Sequence, residues 1–395
     1  MALLCQAQAR EKTLRPAASA KKLPNKVTCM ANSQNPARKT APEEPRPELR
    51  VVPPAPSEGE AAGEKLAPKA KTHVRKGGAP SAEWVCARGL AIKQLNRCVS
   101  LEPKVLQGDN PGAIHDLRVA TRRLQQALDL MFPSPRPGEI RKLRKRLKRC
   151  RSALSEVRNC DVLLERVDSS LARKRMSRRQ ARSAIRDYLV IRRAARLEKA
   201  LHKLTAANLS EVYVRMKEFL LRGGEASAAG GNEGPQNLTA RQFHALVGEN
   251  LKGVWGTLDE QIARSRRKPQ AAVLHRVRIA AKRLRYLVEI LHAFEVSGSA
   301  EVLVWLRGLQ KHLGNWHDLV VFEEMAVEMV ADPRFLRDHL ELAMDIERLI
   351  LKNRRLKTKF EGKYLEAVSD QANLLRIKEW AGRIIASPVA ALSHA

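Results

Sequence analysis

Aromatic residues are scarce: Phe, Trp and Tyr make up 4% of the 395 residues. A protein that reads nucleic acid by stacking bases needs more such platforms. Acidic residues are also short, 42 Asp and Glu against 73 Lys and Arg. No stretch approaches about 18 consecutive apolar residues, which excludes a membrane-spanning helix. The six cysteines form no Cys-x-x-Cys pair, so they read as thiols of a reducing compartment rather than a disulfide frame or zinc site. Neither Gly-x-x-x-x-Gly-Lys-Ser/Thr nor Gly-x-Gly-x-x-Gly occurs, and no nucleotide-cradling loop is expected. No run of alternating β-branched residues announces a sheet.

What remains is a chain of net charge +31 with 44% hydrophobic residues, enough for a substantial core. Such an excess calls for an anionic partner: nucleic acid, anionic lipid or another polyphosphate. Residues 1–80 hold 11 of the 20 prolines and no apolar periodicity, so they read as a disordered basic arm. Met1-Ala-Leu-Leu-Cys turns polar too soon for a secretory segment. The arm has 15 basic against 7 acidic residues, a charge of +8, which leaves +23 on the rest of the chain.

From Ser81 onward apolar residues recur at spacings of three and four, which predicts helices nearly throughout. The periodicity places them near 82–100, 111–131, 138–157, 160–172, 180–221, 238–264, 270–295, 299–314, 318–331, 334–352 and 355–385. A Gly-rich linker, 223–236, separates a first part, 81–222, from a second, 237–385, with 386–395 as a tail. Each part is long enough for one helical bundle.

The two parts repeat. His115-Asp-Leu-Arg118-Val-Ala-Thr-Arg122-Arg123-Leu124 matches His275-Arg-Val-Arg278-Ile-Ala-Ala-Lys282-Arg283-Leu284 at an offset of 160. Farther on, Leu154-Ser-Glu-Val-Arg158-Asn159 matches Leu313-Gly-Asn-Trp-His317-Asp318 at an offset of 159. Two motifs in one order at nearly one offset indicate a duplicated helical unit. On a helix, His115, Arg118 and Arg122 fall within about 60° of one another, as do His275, Arg278 and Lys282. Leu117, Leu124 and Leu128 gather opposite the first set; Val277, Leu284 and Leu291 gather opposite the second. Each helix therefore buries one face and presents imidazole and guanidinium on another. Arg123, Arg283 and Arg285 widen the basic surface. Asn110-Pro111 reads as an N-cap followed by proline at the first helical position.

The next helix adds eight cations in the 13 residues from Glu139 to Arg151, among them Arg141, Arg144, Lys145 and Lys148. Its counterpart in the second part, Val304 to Leu313, is far less basic. Arg192, Arg193 and Arg196 form a further cluster. Arginine suits such sites because its planar fork meets phosphate oxygens in pairs.

The twin His-x-x-Arg helices and the motif after each resemble the CHAD domain, the conserved histidine α-helical domain, over roughly 81–385. The resemblance implies an all-α fold of two antiparallel helical bundles related by a pseudo-twofold axis. It also implies binding of inorganic polyphosphate in a basic central groove or pore, and association with polyphosphate granules in the cytoplasm. The motif positions are His115, Arg118, Arg122, Arg123, His275, Arg278, Lys282, Arg283 and Arg285; Arg141, Arg144, Lys145, Lys148 and Arg193 extend the expected ligand surface. Asn159 stands at the family's Asp, Lys282 at an Arg, Ser155 at a Gly, and Gln125 at the position equivalent to Arg285. Many relatives carry an N-terminal triphosphatase domain with an acidic Glu-x-Glu-x-Lys strand, which the arm lacks. Asp116, Asp318 and Glu289 are scattered along the sequence, so no metal-holding carboxylate cluster is expected. The expectation is a binding protein without catalytic residues, cofactor or metal. The alternative partner is the backbone of RNA or DNA.

Overall fold

The computed structural model describes residues 81–393 apart from 109, 133–137, 174–176 and 222–238. The arm 1–80 and the Gly-rich linker lie outside the described residues. The described part of the fold is all-α. It comprises α1 (Ala82–Leu106), α2 (Pro111–Met131), α3 (Gly138–Ala153), α4 (Ser155–Leu171), α5 (Arg179–Ala206) and α6 (Leu209–Leu221) in the first repeat. The second repeat supplies α7 (Ala240–Arg267), α8 (Ala271–Ala293), α9 (Ser299–Val330), α10 (Pro333–Asp338), α11 (Leu340–Ser369), α12 (Gln371–Ala386) and α13 (Pro388–Ser393). No described helix is long and apolar enough to cross a membrane.

Local chemistry sets the helix starts. The Ser81 side chain accepts from the Trp84 amide at 3.1 Å. The Asn110 side chain accepts from the Ala113 amide at 2.9 Å, with Pro111 following it. Thr239 and Gln242 form a reciprocal capping box at the start of α7. Elsewhere the boundaries differ from the periodicity. The predicted helix 180–221 is broken at Asn208, whose φ of 46° ends α5 and whose side chain accepts from the Glu211 amide as α6 begins. The segments 299–314 and 318–331 are one continuous helix, α9, because nothing between them interrupts the ladder. The same stretch of the first repeat is two helices, α3 and α4, parted at Leu154. The Asp370 side chain accepts from the Asn373 amide, so α12 begins at Gln371 inside the predicted 355–385. Most of the expected tail is α13, with Leu392 fully buried.

The motif helices bury the stripes that the sequence marks. Leu117, Leu124 and Leu128 of α2 are buried, and so are Val277, Leu284 and Leu291 of α8. Truncating Leu124 or Leu284 to Ala would cost about 2–5 kcal/mol. The core does not divide along the duplication. One hydrophobic cluster joins α1, α2, α3 and α6 to α7, α8, α9 and α12. A second joins α4 and α5 to the end of α9 and to α11, through Leu163, Ile185, Met325 and Ile346. Both repeats thus contribute to each cluster, and α2 packs directly on α8. Gly298 has φ 77° where α9 begins, and a Cβ there would lie 2.8 Å from the Trp380 ring, so this sharp entry requires glycine.

Candidate functional site

Because α2 and α8 pack together, their basic faces meet. A cleft of about 590 Å³ opens between them. Arg122 and Gln125 of α2, Arg144 and Arg151 of α3, and His275, Arg278, Lys282, Arg283 and Tyr286 of α8 line it. Arg118 sits one turn before Arg122; its Nη1 donates to the Ser155 hydroxyl at 2.9 Å and to the Arg151 carbonyl. Arg151 in turn donates to Gln125 Oε1 at 2.7 Å. The glutamine that replaces an arginine in the repeat therefore orients another arginine.

These cations crowd one another, and Arg118, Arg151, Arg278 and Lys282 are largely buried. Burial, then Arg122, Arg151 and Arg158, pull the Arg118 guanidinium down to about 9. Burial and Arg122 lower Arg151 to about 10. Burial lowers Arg278, with nearby Asp318 partly offsetting it. Lys282 is the extreme case: burial, then Arg278, Arg122, Arg285 and Arg118, push its ammonium down to about 6. The His275 and His317 rings lie 5.4 Å apart. Burial and the neighbouring cations lower both imidazoles, His317 to about 3. At neutral pH these rings are neutral and can each donate one N–H. Burial raises the Asp318 carboxyl, while Arg166, 3.7 Å away, and Arg278 work against that rise.

The other expected ligand residues are distributed more widely. His115 is exposed overall, but partial desolvation of its ring, then nearby Arg158, lowers its pKa. Arg123 donates to Glu289 at 2.8 Å, and Arg285 approaches the same carboxylate at 3.3 Å while lying over the Tyr286 ring. Arg144 pairs with Asp129 at the edge of the cleft. Arg193 donates to Asp161 at 2.6 Å and to the Gly108 carbonyl at 3.3 Å, and it is not among the residues that line the cleft. Arg141 is exposed near the start of α3. Lys145 and Lys148 line a separate groove between α3 and α5.

Several residues at the site escape the motif helices alone. Arg151 is the last cation of the basic run, and only its packing against Gln125 distinguishes it from its neighbours. Arg158 and His317 hold equivalent places in the second repeated motif, so the duplication marks them both. Tyr286 lies one turn beyond Lys282 on the same face of α8, so helical periodicity alone could have placed it at the cleft.

The CHAD domain family model matches residues 89–327. Two uncharacterized proteins from Mycobacterium tuberculosis, strains CDC 1551 and H37Rv, are each 26% identical over 252 residues, covering 60% of this chain and 44% of theirs. The chain thus spans less than half the length of the curated relatives it matches. The crystal structure of the CHAD domain from the plant Ricinus communis superposes with a TM-score of 0.56 at 21% identity, covering 74% of this chain and 93% of that one. That likeness is one of fold. With the family model covering more than half of the sequence and the two motif helices packed on each other, this chain belongs to the CHAD domain family.

Proposed function

We propose that the α2–α8 cleft binds inorganic polyphosphate and that the chain holds the polymer without turning it over. The observation that carries this reading is the state of Lys282. Burial, and after it the surrounding guanidinium groups, drive that ammonium down to about 6, in a site where cations crowd one another. An anion entering the cleft relieves that repulsion and restores the proton to Lys282. Strongly perturbed ionisable groups of this kind concentrate at functional sites.

The ligand class follows from the donor set. Arg122, Arg151, Arg278 and Arg283 offer planar N–H forks, and neutral His275 adds a single donor. A linear polymer with roughly one charge per phosphate and no base to recognise matches a cleft rich in guanidinium. Among the described lining residues the carboxylate is Asp129, which is paired with Arg144. The lining thus lacks the spare carboxylates that hold metal ions on a reacting phosphoryl group, which favours binding over hydrolysis. On this reading the protein accompanies polyphosphate granules in the cytoplasm.

The test is a competition assay with fluorescent polyphosphate at physiological salt. Unlabelled polyphosphate should displace the probe at concentrations at which single-stranded RNA and duplex DNA do not. Equal displacement by RNA would overturn the assignment in favour of general backbone binding.

A further inference from the structure

The groove between α3 and α5 has a volume of about 920 Å³, larger than the central cleft. We propose that it is a second site for inorganic polyphosphate, so that one chain grips the polymer at two separated places. This rests on the reading of the central cleft as the first such site.

Helix α3 is the wall between the two. Arg144 and Arg151 line the cleft, whereas Lys145, Lys148 and Arg149 line the groove about a quarter turn away around the helix. Arg196, Lys199 and Lys203 of α5 face them across the groove. Ala153 and Ala200 lie in its lining, where small side chains leave room between the long cationic ones. Among the described residues none of Lys145, Lys148, Arg149, Lys199 or Lys203 makes an ion pair with a carboxylate. Glu156 also lines the groove, within hydrogen-bonding reach of the Asn159 side chain at 3.5 Å, and is outnumbered by the cations.

The duplicated fold does not by itself produce this groove. At the offset of 159, Lys145, Lys148 and Arg149 correspond to Val304, Arg307 and Gly308. On α11 of the second repeat, Arg354 and Lys357 are held by Glu323 at 2.6 and 2.7 Å. The first repeat therefore carries a concentrated, unneutralised basic groove that the second lacks. Along α3 the groove runs from Lys145 to Ala153, about 12 Å at the helical rise, and it continues to Glu156 of α4, which suits an extended phosphate chain better than a single ion. Two sites on one polymer multiply: the second contact forms at the high effective concentration that the first creates.

The experiment is calorimetric titration of the full chain with inorganic tripolyphosphate, then with long-chain polyphosphate. Wild type should bind two equivalents of tripolyphosphate. Lys148→Glu with Lys199→Glu should leave one equivalent, and Arg122→Glu should leave the other. Lys148 and Lys199 are exposed, so circular dichroism should not change; the Lys148→Gln/Lys199→Gln pair supplies a milder version. For long-chain polymer the charge-reversed pair should weaken affinity by roughly tenfold or more through lost avidity. A single equivalent in wild type overturns the proposal. If that equivalent is lost only in Arg122→Glu, the central-cleft reading stands; if it is lost only in the lysine pair, that reading falls as well. An oligoribonucleotide arm separates the two sources of phosphate. Loss of RNA binding with unchanged polyphosphate binding in the pair would also overturn the proposal.

Discussion

Arg123 of α2 donates to Glu289 of α8 at 2.8 Å, a contact that crosses from one repeat to the other. The same carboxylate receives Arg285 at 3.3 Å. One acidic residue thus neutralises two of the motif arginines, while Arg122, the residue just before Arg123 on α2, is left facing the cleft. Adjacent arginines in one motif therefore have different work.

Arg122→Ala should weaken polyphosphate binding by about tenfold, equivalent to about 1.4 kcal/mol. Arg123→Ala should weaken it less than about threefold, because that guanidinium is already engaged. Glu289→Gln should strengthen binding by freeing Arg123 and Arg285. Dissociation constants measured at one fixed salt concentration check all three. A larger loss from Arg123→Ala than from Arg122→Ala would sink this division of roles.

Arg193 is expected to be structural. Its partner Asp161 is 1% exposed, and removing Arg193 leaves that carboxylate buried without its cation. Arg193→Ala should cost about 3–5 kcal/mol in chemical denaturation. The surviving folded protein should bind polyphosphate as wild type does.

The pH dependence centres on Lys282. Its folded-state pKa, about 6, lies below the ordinary 10.5. Between those values the unfolded chain holds a proton that the unliganded fold lacks, so this residue makes the fold more stable as pH rises through that window. Binding reverses the sign. A polyanion raises the ammonium's pKa, so complex formation takes up a proton and affinity falls as pH rises from about 6 towards 8. Titration in buffers of different ionisation enthalpy should show this uptake at pH 7.5. Lys282→Met should abolish it; persistence of the uptake in that variant would assign the proton elsewhere.

Salt should weaken the complex steeply. Each phosphate neutralised by Lys or Arg releases counterions, and a protein making six to ten such contacts on DNA loses about 10³–10⁵ in affinity between 50 and 200 mM salt. A loss of at least tenfold over that range is expected for polyphosphate. An affinity flat with salt would remove the electrostatic basis of the site.

Charge reversal at Arg118 and Arg278 should weaken binding. On a helical wheel both point away from the leucine stripe. Yet Arg118 donates to Ser155 and to the Arg151 carbonyl, so it ties α2 to the junction of α3 and α4. Arg118→Glu should therefore lower the thermal midpoint as well as the affinity, whereas Arg122→Glu should lower mainly the affinity. Thermal denaturation of the two single variants separates these effects.

The sequence by itself determined the all-α class, the duplication and the buried stripes of α2 and α8. Those properties are periodic and local: a leucine every three or four residues must face a core wherever the helix docks. It determined the cap at Asn110 for the same reason, since a cap satisfies donors a few residues away. It also marked His275, Arg278 and Lys282 as partners on one face. Only the tertiary structure decided which cations meet. The basic run of α3 reads as one cluster, but its helix turns Arg151 into the cleft and Lys148 into a groove beside α5. Arg193 belongs to an Arg-rich stretch, yet a carboxylate 32 positions earlier claims it. Helical periodicity fixes the direction in which a side chain leaves its own helix. Which element stands there, and whether it offers a carboxylate, another cation or open solvent, depends on packing between residues far apart in sequence.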